Sequence, residues 1–137
     1  MSAGELDQRG YLVVAGPPTI RDPDVEACLE ALRRQGWAVR LELEGLRILT
    51  APRFPWPVAQ IHRDHALIGE WRGEGAHPPA IAGRSPEGAS LARGLIDEGW
   101  GAYLLIWRDG AGGLDLLRDP TGALHLVWGR GGARGRR

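Results

Sequence analysis

The apolar positions of this chain change period along its length, and each change predicts an element. Tyr11-Leu12-Val13-Val14-Ala15-Gly16 is a short apolar run stopped by Pro17 and Pro18, which predicts a buried strand after a polar, flexible leader over residues 1–10. Asp22 offers an N-cap, and Pro23 suits the first helical position, where a missing N–H costs no helical bond. Val25, Cys28, Leu29 and Leu32 then recur at helical spacing until Gly36, predicting one amphipathic helix with Cys28 on its buried face. From Trp37 the period becomes two. Trp37, Val39, Leu41 and Leu43 alternate with Ala38, Arg40, Glu42 and Glu44, so one strand face points inward, and Glu44-Gly45 turns the chain into a partner strand over Leu46 to Thr50.

Ala51 to Gln60 carries three prolines around Phe54 and Trp56 and reads as an irregular loop, because proline cannot donate to a central ladder. His65 to Trp71 reads as a further strand. Gly73 to Gly88 reads as a surface loop closed by Ser85-Pro86, and Leu91, Ala92, Leu95 and Ile96 mark a second helix. The chain then presents AYLLIW, LDLL and ALHLVW, separated by DGAGG and DPTG, which predicts an antiparallel meander. Asp119-Pro120-Thr121-Gly122 matches a type I turn, with Asp first, Pro second and Gly fourth, so this charged stretch is read as a hairpin device before it is read as catalytic.

Composition narrows the function classes. With 43% hydrophobic residues, and 17 acidic against 17 basic side chains, the 137-residue chain is expected to fold as an ordinary domain with one core. Every basic residue is Arg. The first 129 residues hold 13 of them against all 17 acids, while the tail GRGGARGRR adds four Arg and no acid and is expected to be disordered. Arginine scattered among acids gives no basic stripe for nucleic acid. No apolar run approaches the roughly 20 residues that span a bilayer, and the acidic start does not resemble a secretory signal, so a cytoplasmic setting is expected. One cysteine excludes an internal disulfide.

The order strand, helix, hairpin, Pro-rich loop, strand with Gly69-Glu70, helix, and then GAYLLIWRDGAGGLDLLRDPTGALHLVW resembles the amino-terminal glutamine amidotransferase domain of the asparagine synthetases. The turn Arg118 to Ala123 is closer still to the asparagine-synthetase-like cyclases of lasso-peptide pathways. The resemblance implies an α+β fold of the amino-terminal-nucleophile type over residues 11–128, with two stacked antiparallel β-sheets flanked by helices. It also implies a site, and here the chain departs from the family. The family's amino-terminal Cys, which combines nucleophile and base in one residue, is replaced at the junction Arg9-Gly10-Tyr11 by an arginine. Arg47 resembles the arginine that clamps the substrate carboxylate, and Gly69-Glu70 the end of the NGE strand, but Ile68 stands for its Asn. Gly83-Arg84-Ser85 lacks the Asp of the GSD motif. Arg118, Asp119 and Gly122 keep the family's turn.

The expectation is therefore a degenerate domain without glutaminase activity of its own, and with no metal or cofactor, from an ATP-dependent amide-forming system. No SGGxDS-like loop stands in the chain, so ATP chemistry would belong to a synthetase-like partner domain or subunit, with a precursor peptide as a further partner. Two other readings remain. One is an active glutamine hydrolase using Ser2 or another processed amino terminus, and the other is a stand-alone peptide-binding module. His62 and His65 fall short of the three or four ligands of a zinc site and read as surface histidines, and the six Trp read mainly as core. Glu70 and Asp119 could form an acid and base pair only if the fold brings them together.

Overall fold

The computed structural model describes residues 8–16, 22–62, 64–73, 88–108, 113–122 and 124. They form an α+β protein with two antiparallel sheets, of three and four strands, and two helices. The chain divides between Pro55 and Trp56 into two compact units, each with its own apolar cluster.

In the first unit, β1 (Tyr11–Ala15), β2 (Ala38–Leu43) and β3 (Leu46–Thr50) pair in the order β1-β3-β2. Helix α1 (Pro23–Arg34) begins as its sequence demands: the Asp22 carboxylate accepts from the amides of Asp24 (2.8 Å) and Val25 (3.4 Å), and Pro23 opens the first turn. Asp24 and Glu26 in the first turn, with Arg33 and Arg34 in the last, complement the helix dipole. Leu29 and Leu32 are buried with Trp37, Leu49 and Ala51, against Leu12, Val14, Val25 and Val39. Cys28 is exposed, contrary to the spacing argument. The buried stripe centres on Val25, Leu29 and Leu32, and Cys28 lies roughly 60° around the helix from Val25 and 100° from Leu29, on the stripe's outer flank.

The strict alternation expected of β2 is also interrupted. Val39 pairs with Leu49 and Leu41 with Ile48, leaving Arg40 as an extra residue in a β-bulge. Directly opposed residues share a face, and consecutive residues of β3 do not. Val39 therefore lies with Leu49 under α1, whereas Leu41 lies with Ile48 on the other side of the sheet. Both faces are apolar: Leu46, Ile48 and Leu49 are all buried.

In the second unit, β4 (Val58–His62), β5 (His65–Gly73), β6 (Gly99–Arg108) and β7 (Leu114–Arg118) form a four-stranded sheet in that order. The irregular segment expected to reach Gln60 ends at Pro57, and a strand begins at Val58. It sits at the margin of the described sheet, pairing with β5, so Pro57 costs no ladder bond and its carbonyl accepts from Gly69 N at 2.8 Å. Helix α2 (Gly88–Glu98) carries Leu95 and Ala92 onto Ile61, Leu67, Tyr103 and Leu105. Ile96, expected on that stripe, is exposed. Opposite α2, the same strands bury Ala66, Ile68, Leu104 and Ile106, which is why AYLLIW shows no alternation.

The β5–β6 ladder is tight at Gly69, whose φ is 104°. A Cβ there would stand far closer to the Ala102 carbonyl oxygen than van der Waals contact, so neither the backbone angle nor the space admits a side chain. The leader before Gln8, residues 74–87 of the expected loop, with Gly83-Arg84-Ser85 and Pro86 among them, most of DGAGG, the run ALHLVW apart from buried Leu124, and the arginine-rich tail lie outside the described residues. No helix among those described is long and apolar enough to cross a membrane.

Candidate functional site

The head of β1 is where the resemblance would place a nucleophile. The backbone here continues upstream in pairing: Ala51 N donates to Gly10 O (2.9 Å), and Arg53 N donates to Gln8 O (2.8 Å). Residues 8 to 10 thus prolong the edge of the first sheet. An internal arginine held in mid-chain presents neither thiol nor free amine, so the junction itself cannot supply the nucleophile and base of an amino-terminal hydrolase. Cys28, the chain's one thiol, sits on the exposed side of α1. Ser2 lies outside the described residues.

Arg47 lies on β3 between Val14 and Glu42 on the neighbouring strands, on the face that also carries Leu49 and packs under α1. Its guanidinium meets Glu26 of that helix in a two-pronged pair, with Nη1 donating to Oε1 at 3.0 Å and Nη2 to Oε2 at 2.5 Å. The Arg47 side chain is 12% exposed and the Glu26 side chain 32%. Glu26's hydrogen bond, and then the charges of Glu26 and Glu42, hold the guanidinium pKa above its ordinary value against the opposing effect of burial. The fork that the resemblance offers to a ligand carboxylate is closed on an internal one. Sequence reasoning missed Glu26 as the partner; its only signal was an acid in the first helical turn, which the helix dipole already explains.

Gly69 and Glu70 lie on β5. Gly69 is buried, as described above, while the Glu70 carboxylate is half exposed and lies 3.6 Å from Arg72. That contact is a surface ion pair, worth little in high dielectric.

The stretch Arg118 to Gly122 gives the clearest geometry. Gly122 N donates to Asp119 O at 3.0 Å, closing the turn expected from the sequence. Asp119 is 2% exposed. Its Oδ1 accepts from Tyr103 N (3.1 Å), and its Oδ2 accepts from Thr121 N (3.0 Å) and from the Thr121 hydroxyl. Arg118 Nη2 donates back to Gly122 O at 2.9 Å. Desolvation alone would raise the Asp119 pKa, but the hydrogen bonds from Thr121, Tyr103 and Gly122 outweigh it and hold the carboxyl below its usual range. The buried Asp119 carboxylate is engaged in holding the turn and the Tyr103 amide, whereas the Glu70 carboxylate is half exposed beside Arg72.

His65 is 3% exposed, not a surface residue, because it opens β5 and stacks on Trp107 with ring centroids 5.7 Å apart. His62 is its register partner on β4. Among the described residues no group of three or more His, Cys, Asp or Glu could hold a metal ion. The tryptophans divide: Trp37 is buried, Trp56, Trp71 and Trp107 are half-buried, and Trp100 is 65% exposed. Trp71 spans Gly73 and Gly99 with its ring and donates from Nε1 to Leu95 O at 2.9 Å, fastening α2 to the strand ends. No protein-family model matches the chain, and neither a curated protein nor a solved structure does.

Proposed function

We propose that this chain is a non-hydrolytic amidotransferase-like domain of an asparagine-synthetase-like, ATP-dependent amide-forming system, of the lasso-peptide cyclase type. The observation that carries the reading is the Arg118–Gly122 turn. It has the residue pattern of the family's turn and a built interior, with Asp119 locking the end of β7 onto Tyr103 of β6. Two antiparallel sheets with two helices are compatible with the stacked, amino-terminal-nucleophile architecture that the resemblance implies.

Two observations support a loss of hydrolysis: the backbone pairing of Gln8 and Gly10 on either side of Arg9 at the head of β1, and the engagement of Arg47 by Glu26. In this reading the substrate itself supplies the amine, so glutamine-derived ammonia is not needed. The domain then contributes by packing on a synthetase-like partner and shaping the approach of a precursor peptide. Folding selects the sheets whether or not a thiol stands at their edge.

The test is co-expression of the chain with a synthetase subunit encoded beside it. Co-purification and faster amide closure than the subunit achieves alone are expected, with ammonia release from glutamine at background. Measurable glutaminase activity together with a trimmed amino terminus would establish the hydrolase instead. Peptide binding without any synthetase partner would favour the stand-alone binding module.

A further inference from the structure

We draw no further inference here: the strongest candidate, the surface patch at the start of β6 where Trp100 is 65% exposed across from its register partner Arg72, carries nothing because no observation in the structure shows what covers it.

Discussion

Asp119 and Tyr103 hold each other twice: Asp119 N donates to Tyr103 O at 3.0 Å, and Tyr103 N donates to Asp119 Oδ1 at 3.1 Å. The side chain thereby continues a ladder that the backbone of β7 leaves at Arg118. Asp119→Ala would strand the Tyr103 amide in a buried site. Losing a charged acceptor there should lower unfolding free energy by about 2–4 kcal/mol, read as a shifted urea midpoint with unchanged slope.

The same carboxylate sets an acid dependence. Its folded pKa lies below the ordinary value near about 3.9, so its stabilisation is complete above that value and is lost as pH falls through the folded one. Urea midpoints measured between pH 6 and pH 2 should fall more steeply for the native chain than for Asp119→Asn, which has no proton to take up. Parallel curves would remove Asp119 from the account of acid unfolding.

The Glu26–Arg47 pair should respond asymmetrically. Glu26→Ala leaves a guanidinium only 12% exposed without its carboxylate, whereas Arg47→Met leaves a carboxylate that water can reach. The first substitution should cost about 2–3 kcal/mol and the second about 1 kcal/mol less, because the stranded cation is the more deeply buried charge. Chemical denaturation of both variants and the double variant gives the order and the coupling. Equal losses would mean that packing, not charge, dominates at this site.

Tyr103 carries a buried hydroxyl with no hydrogen-bond partner among the described residues, and burial, followed by the Asp119 charge, pushes its pKa up. Tyr103→Phe removes that polar atom and keeps the ring among Ile61, Leu67, Leu95 and Leu105. The melting temperature should stay level or rise, since an unsatisfied hydroxyl in apolar surroundings costs about 1–3 kcal/mol. A loss above about 1 kcal/mol, the size of an ordinary hydrogen bond, would reveal a partner for the hydroxyl.

Two alanine substitutions separate backbone constraint from mere glycine content. Gly69→Ala should cost several kcal/mol or abolish folding, on the order of the largest single-residue effects, because backbone blocks the new Cβ. Gly16→Ala meets nothing within 4 Å and should be nearly silent in the same thermal melts.

Cys28 should react with a thiol reagent in the native chain at close to the rate seen in denaturant, since it is exposed on α1. Protection of the native thiol by more than about tenfold, or about 1.4 kcal/mol, would contradict that placement.

What was legible in the sequence had a local cause. Asp22 with Pro23 marked the start of α1, Glu44-Gly45 the hairpin, and Asp119 to Gly122 the turn after β7, because each is decided within four residues. What was missed depended on contacts distant in sequence. Cys28 and Ile96 fit a helical stripe, but how wide a stripe is covered depends on what the sheet presents to the helix. The bulge at Arg40 is invisible to a period count that registers only polar and apolar, since the alternation persists while the faces exchange. His65 is buried because its register partner on β6 is Trp107, on whose ring it stacks, a contact distant in sequence. At the candidate site, Arg47 was recognisable as a carboxylate holder, but the carboxylate it holds lies 21 residues away on a helix.

The bulge leaves β2 with one residue more than its ladder uses. Val39 opposite Leu49 and Leu41 opposite Ile48 are already the neighbours that a regular antiparallel pair would bring together. Excising Arg40 would therefore leave every remaining partner in place and every side chain on its own layer, straightening the strand without rewriting its register. This sheet can shorten by one residue at that point and keep the same interior.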